Sequence, residues 1–275
     1  MTKILLIGLD GLNLSPTFDD PPAAPFLADL RARSTYARMR IEGPTISGPS
    51  WATLLTGAPH TTHGIVDNLL ADHHLAECPD LLTQAAAEGA PTFAAAGWGP
   101  LVDPVGPGPI IRTRAEDQRA GRHRVICRDG ETYGYRTVDA EVAAFTAYAL
   151  RESGPDVSFV YFCDVDDAGH VYGAESQEYR DAIGRVDALV ARLVDVVEHR
   201  AATTGEQWLV AVTTDHGHRP EGGHGGDTEA ERSSFAIAYG VGRDNPDWPG
   251  EITPASLTPR LLAERRLPDL EPTNA

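Results

Sequence analysis

Three apolar runs in this chain end in carboxylates, and that pattern limits the fold more than any other feature. KILLIGL, Lys3 to Leu9, runs into Asp10; VSFVYFC, Val157 to Cys163, runs into Asp164, Asp166 and Asp167; WLVAVTT, from Trp208, runs into Asp215 and His216. Apolar residues at consecutive positions, not alternate ones, mark strands buried on both faces, as in the middle of a parallel sheet. Thr92 to Ala96 and Phe235 to Tyr239 are further strand candidates, beside the buried core of the third run, Trp208 to Val212. Helical spacing recurs between them, at Pro25 to Arg33, Ser47 to Thr56, Leu81 to Glu88, Val138 to Arg151, Ser176 to Ala202 and Leu257 to Arg265. Strands alternating with helices predict an α/β fold: a doubly wound, mostly parallel central sheet with helices on both faces. The 275 residues suit a single domain, 1–275. Residues 97–136, rich in Gly, Pro and Arg, are expected to form a small excursion from its core.

In an open parallel sheet, ligands bind beyond the carboxyl ends of the strands. Three strands delivering carboxylates to one edge make an anionic pocket, and like charges packed that closely do not all stay ionised without cations. Histidine spacing agrees. Asp166 and His170 stand four apart, within reach of one ion from a single helical turn. Asp215 and His216 are adjacent at a strand exit, and His224 stands between two glycine pairs. Carboxylate and imidazole without Cys suit zinc or manganese in a catalytic site that keeps an open position. His60, His63, His73, His74, His123 and His199 read as structural or solvated imidazoles, while His218, beside the cluster, stays open between the two readings.

The candidate nucleophile is Ser47, in Thr45-Ile-Ser-Gly-Pro-Ser-Trp51, with Thr45 and Ser50 as rival hydroxyls. Pro49 suits the first turn of a helix, so Ser47 stands at its mouth. Free backbone N–H groups there, that of Gly48 among them, can bind an anion. A nearby metal would lower the hydroxyl pKa and make Ser47 a nucleophile near neutral pH.

Charge narrows the partners. Forty acids against 23 bases give a net charge of −17, which repels polyanions. The reading is therefore a small-molecule substrate, with neither a nucleic-acid polymer nor a membrane as partner. No run of 18 apolar residues occurs, and the strand that starts at Lys3 meets Asp10 too soon for a signal peptide, so a cytoplasmic location is expected. Three scattered cysteines, Cys78, Cys127 and Cys163, fit reduced thiols.

Taken together, Asp10, the run from Thr45 to Gly57, His63-Gly-Ile-Val-Asp-Asn68, Asp166-Asp-Ala-Gly-His170, Asp215-His-Gly217 and Gly223-His-Gly225 resemble the alkaline phosphatase superfamily. Within it they are most similar to the nucleotide pyrophosphatase/phosphodiesterase branch. The resemblance implies two divalent ions, zinc before manganese. It implies one site of Asp166, His170 and His224, and another of Asp10, Asp215 and His216 with Ser47 facing the pair. It also implies that Asn68 holds a non-bridging phosphoryl oxygen. The chain departs from the branch in carrying Ser47 where Thr is usual and Cys163-Asp164-Val165 where a Glu-Pro pair is usual, and it is short for the branch.

The expected activity is metal-dependent hydrolysis of a phosphodiester or pyrophosphate bond in a nucleotide-like small molecule, through a phosphoseryl intermediate at Ser47. A phosphomonoesterase is the alternative. It needs a cation to clamp the extra charge, and the six arginines between Arg112 and Arg128 are where one would come from. A sulfatase signature would need Arg where Trp51 stands. A metal-binding relative without turnover is the remaining reading, set against the presence of all six ligand positions and a hydroxyl.

Overall fold

The computed structural model describes residues 1–106 and 108–266. One seven-stranded sheet organises them, with strands β1 (Lys3–Leu9), β2 (Thr35–Arg40), β3 (Thr92–Ala96), β4 (His123–Cys127), β5 (Val157–Phe162), β6 (Trp208–Thr214) and β7 (Ser233–Val241). Their spatial order is β2-β7-β6-β1-β5-β3-β4. The five strands from β6 to β4 run parallel, whereas β7 and β2 continue the sheet antiparallel at one side. The fold is the expected α/β class with a mostly parallel sheet.

Side chains of β1 alternate between two cores, as the two-residue period of a strand requires. Ile4 and Leu6 join the face covered by the helices Ser47–Thr56, Leu81–Ala87 and Leu257–Arg266. Leu5, Ile7 and Leu9 join the opposite face, covered by Pro25–Ala32, Tyr135–Glu152 and the long helix Gln177–Thr204. Buried carboxylates fix two of these joints. Asp187 accepts from the N–H groups of Phe26 and Leu27, capping Pro25–Ala32 from the long helix. Asp139 accepts from those of Cys163 and Asp164, capping the helix Asp164–Tyr172. Among the described residues, no helix is long and apolar enough to cross a membrane.

Two strands depart from the sequence reading. β2 was not anticipated, because in Thr-Tyr-Ala-Arg-Met-Arg only Ala37 and Met39 are buried and the two later arginines face out. β4 lies inside the segment 97–136, which was expected to leave the core. That segment instead completes the parallel sheet at its edge, and four of its arginines are engaged around that edge. Arg114 and Arg122 pair with Asp117, Arg128 with Glu141, and Arg124 bonds Ser153.

The register sets the level of the functional edge. Leu9 lies beside Phe162 on one side and Thr214 on the other, so Asp10, Cys163 and Asp215 leave the sheet together. Gly8 and Asp10 share a face, and Gly8 leaves room there for Trp51. A Cβ at Gly8 would fall 2.4 Å from the Trp51 ring. We expect Gly8→Ala to destabilise the fold by about 1–3 kcal/mol through overpacking. Denaturant unfolding of the metal-free protein measures it, and an unchanged midpoint would show that Trp51 is free to move.

Candidate active site

Three buried carboxylates meet at this edge; Asp10 and Asp215 each have one oxygen held and one presented, while Asp166 also takes the Cys163 thiol on Oδ2 at 4.0 Å. The Trp51 indole N–H and the Tyr161 hydroxyl both donate to Oδ2 of Asp10, at 2.8 and 2.6 Å. Oδ1 of Asp10 is buried without a hydrogen-bond partner. Asp215 accepts the Gly11 N–H on Oδ1 at 3.3 Å, and its Oδ2 is likewise buried and unpartnered. Both orphaned oxygens lie close to Nε2 of His216, at 3.4 Å from Asp10 and 3.3 Å from Asp215. Asp166 meets His218 Nε2 at 2.8 Å through Oδ1 and faces His170 Nε2 at 3.5 Å through Oδ2.

The histidines are oriented as ligands need to be. His216 sends Nδ1 toward the Gly217 carbonyl at 3.2 Å, and His224 sends Nδ1 to the Thr45 carbonyl at 2.7 Å. Each therefore keeps its Nε2 lone pair for the cavity. Thr45 also fixes the His224 loop by accepting the Gly225 N–H and donating to the Gly226 carbonyl, both at 3.0 Å. Nε2 of His170 and of His224 approach within 3.0 Å. His63 and His123 hold to their structural reading, bonded to Thr53 and Thr92 respectively.

Burial dominates the electrostatics. It pushes the Asp10 carboxyl up to about 7, helped by the charge of Asp166 and opposed by the donors Tyr161 and Trp51. It also raises Asp166 to about 7, and it raises Asp215 well above the usual carboxylate range. The same desolvation lowers His224 and His218 to about 4 and drives His216 well below its ordinary value. Neutral imidazoles and carboxylates that resist ionisation are what a divalent cation converts into a stable set. The orphaned buried oxygens and the mixed N/O donor set fit such ions. Two groups of side chains are close enough to hold one: Asp10, Asp215 and His216, and a second that includes Asp166, His216, His218 and His224. Of the expected ligands, Asp10, Asp215 and His216 form one group and Asp166 and His224 fall in the other, while half-exposed His170 stands outside both, its Nε2 3.0 Å from that of His224 and 3.5 Å from Asp166.

Ser47 is the hydroxyl that faces this centre, its Oγ 3.2 Å from His216 Nε2. Thr45 is committed to the loop, and Ser50 is buried with no partner for its hydroxyl. A pocket of about 150 Å³ opens over Ser47, walled by Asn68, Trp98, Glu131, Tyr135 and Asp167 with Asp166, His170 and His224. A larger cavity of about 560 Å³ reaches His218 from behind, but neither Ser47 nor Asn68 lines it. Gly48 departs from the expectation that its N–H contacts substrate. That N–H donates to Asn68 Oδ1 at 2.7 Å, and a Cβ at Gly48 would fall 2.7 Å from the Asp67 carbonyl. The sequence reading missed Trp51, Trp98, Glu131, Tyr135 and Tyr161. No local spacing marks them, because each arrives from a different element.

The chain belongs to the type I phosphodiesterase / nucleotide pyrophosphatase family, whose model matches residues 4–227. The catalytic subunit of GPI ethanolamine phosphate transferase 3 of Homo sapiens is 32% identical over 126 residues, 44% of this chain and 11% of that protein. Ectonucleotide pyrophosphatase/phosphodiesterase family member 7 of Rattus norvegicus is 27% identical over 238 residues, 78% of this chain and 49% of that protein. The match thus spans half or less of these relatives. Murine ectonucleotide pyrophosphatase/phosphodiesterase 5, solved as an inactive form with AMP, superposes with a TM-score of 0.70 over 98% of this chain and 96% of its own. At 14% identity that likeness is one of fold.

The electrostatics generate a stability prediction. The folded pKa values of Asp10 and Asp166 lie near 7, above the unfolded values, so the folded chain holds protons that the unfolded chain has released. Stability without metal therefore falls as pH rises through about 7. The lowered histidines act oppositely, but only below their unfolded value of about 6.5. The melting temperature of chelator-treated protein should fall between about pH 6.5 and 8, and zinc should abolish that fall. A flat profile without metal would contradict the carboxylate assignment.

Proposed function

We propose that this chain hydrolyses phosphodiesters through Ser47, with two divalent cations at its strand-end carboxylates and histidines. Zinc is the ion this donor set suits best, with manganese second. The observation that carries the reading is the position of Ser47: its hydroxyl lies beside His216, which both ligand groups share, and opens into a pocket that also holds Asn68. When bound, the cations supply positive charge that favours the ionised hydroxyl and offsets charge building on phosphorus. Ser47 Oγ bonds to phosphorus as the bond to the leaving alcohol breaks, and that alcohol leaves with the proton it gains. Water then cleaves the phosphoseryl bond, restoring Ser47 and releasing a phosphomonoester. Asn68 has its amide oxygen committed to Gly48, so its amino group is the end that donates to a non-bridging oxygen.

The charge of the pocket supports a diester over a monoester. No Lys or Arg is among its lining residues, whereas Glu131 and Asp167 are. Arg112, Arg114, Arg122, Arg124 and Arg128 are bonded elsewhere and no arginine of the segment lines the pocket, so the cation that a phosphomonoesterase would need is not supplied there. The sulfatase reading finds Trp51 holding Asp10 in place of the required Arg. The same charge favours a substrate whose alcohol is neutral or carries an ammonium group over one with further phosphates. Glu131, which accepts the Tyr135 hydroxyl at 3.0 Å, stands beside Trp98 and Tyr135, a setting suited to a cation such as ethanolamine.

Ser47→Ala should lower kcat on a nitrophenyl diester by about 10³-fold or more, since no covalent intermediate can form. Ser50→Ala should change it little; the reverse pattern would assign the nucleophile to Ser50. Asn68→Ala should cut kcat by about 10²-fold with a smaller effect on KM, because its bond strengthens as charge develops. A substrate panel tests the charge argument. The nitrophenyl diester should exceed the monoester in kcat/KM, and Glu131→Gln should lower kcat/KM for an ethanolamine phosphodiester while raising it for the monoester. Better turnover of the monoester by the unmodified protein would overturn the diester reading.

A further inference from the structure

We propose that His218 is a positioning residue of the metal centre: its Nε2–H pins Oδ1 of Asp166 and thereby presents Oδ2 to the ion shared with His170 and His224. The inference rests on the two-cation reading above and adds a residue to it.

The pattern of the other two carboxylates points to this role. Asp10 is pinned on one oxygen by Trp51 and Tyr161, and Asp215 by the Gly11 N–H, and each leaves its second oxygen free. Asp166 needs an equivalent donor. His218 stands at 2.8 Å from Oδ1, while Oδ2 faces His170 Nε2 at 3.5 Å. His224 Nε2 lies 3.6 Å from the pinned oxygen, close enough to share an ion with either. Carboxylates that bind metals are commonly held by such hydrogen bonds, which fix the direction of the free lone pairs.

Why a donor, when His218 is close enough to the cluster to be a ligand itself? The outer nitrogens decide. A ligating imidazole almost always donates its second N–H to an acceptor. His216 and His224 have that outlet in the carbonyls of Gly217 and Thr45. Nδ1 of His218 is buried with no hydrogen-bond partner among the described residues. As a ligand through Nε2, His218 would bury an unpaired N–H, the rarest kind of defect in folded proteins. As a donor through Nε2, it leaves only a lone pair unmatched.

The surrounding chain is shaped to keep the ring in place. Asn13 accepts the His218 N–H at 2.5 Å and donates to its carbonyl at 3.0 Å. Gly11 and Gly169 clear the space: a Cβ at either would fall 2.7 Å from His218 Nε2, and the one at Gly11 would also reach Asp166 Oδ1 at 2.7 Å. Gly11 has a φ of +66°, so this approach and a left-handed turn need glycine together.

The test compares His218→Gln, whose amide N–H₂ reaches the place of Nε2, with His218→Leu, which fills the space without a donor. Metal content and affinity are read by chelator competition, and coordination by the visible spectrum of the cobalt-substituted protein. Unmodified protein that retains no metal would remove the two-cation reading itself, and that outcome is distinct from any difference between variants. Given metal binding, His218→Leu should weaken the affinity of one of the two ions by about 10- to 100-fold. His218→Gln should stay within about threefold of the unmodified protein, with an unchanged cobalt spectrum. Should His218→Leu fail to fold, His218→Asn, too short to reach Oδ1, replaces it. Equal metal affinity in the variant lacking the donor would overturn the proposal. So would a His218→Gln variant as weak as His218→Leu, or one with an altered cobalt spectrum, which would make His218 a ligand.

Discussion

Everything distinctive about this molecule follows from burying three carboxylates at one sheet edge without a lysine or arginine among the lining residues of the pocket beside them. Asp10 and Asp215 are fully buried and Asp166 nearly so. Burial of an isolated carboxylate is costly, and proximity of like charges adds to the cost. The structure meets it halfway with fixed donors, one oxygen at a time. Trp51, Tyr161 and the Gly11 N–H hold one side of Asp10 and Asp215 and leave the other directed at an imidazole, and His218 Nε2 lies 2.8 Å from one oxygen of Asp166. The remaining half is a demand for positive charge that the chain itself does not supply.

That arrangement explains why so much packing converges on small details. Gly8 is a glycine inside a buried strand, where glycine is normally unfavourable, because Trp51 must lie across it to reach Asp10. Tyr161 projects from β5 onto the same face, its ring 5.6 Å from that of Trp51 and its hydroxyl on the same carboxylate oxygen. The hydrophobic core and the polar site are therefore the same residues used at two ends. An aromatic body fills the space under the sheet, and its polar tip fixes the Asp10 carboxylate.

What the sequence made legible was whatever is local. The central strands are continuous apolar runs whose carboxyl ends lie at the candidate site, so Asp10, Asp166, Asp215 and His216 could be picked out without knowing the fold, although Asp164, read with them, pairs with Arg185 instead. β2 and β4 escaped because they lie at the two ends of the sheet, where a strand is half solvated and carries charge; Arg38, Arg40 and Arg124 interrupt any apolar pattern. The pocket walls escaped for a different reason. Trp98 follows β3, Glu131 and Tyr135 follow β4, and their meeting over Ser47 is a consequence of strand order alone. The segment 97–136 was judged by its composition. Its contribution lies in the carboxylate and two aromatic rings it delivers from the sheet edge, and its arginines stay away from the pocket.

The start of the helix bearing Ser47 shows how tertiary contact can reassign a local rule. A helix N-terminus offers free N–H groups to anions, and on sequence grounds that of Gly48 was available. The loop carrying Asn68 takes it instead, passing so near that only a glycine fits beneath the Asp67 carbonyl. The backbone donor is exchanged for a side-chain donor: once Oδ1 accepts from Gly48, the Asn68 amino group is the end left to face the pocket. Charge at the helix mouth is thus relayed outward by one amide. On the proposed reading, recognition of a phosphoryl oxygen would depend on the side chain at position 68 and on anything that moves the loop from His63 to Asn68, whereas a direct backbone contact would depend on neither.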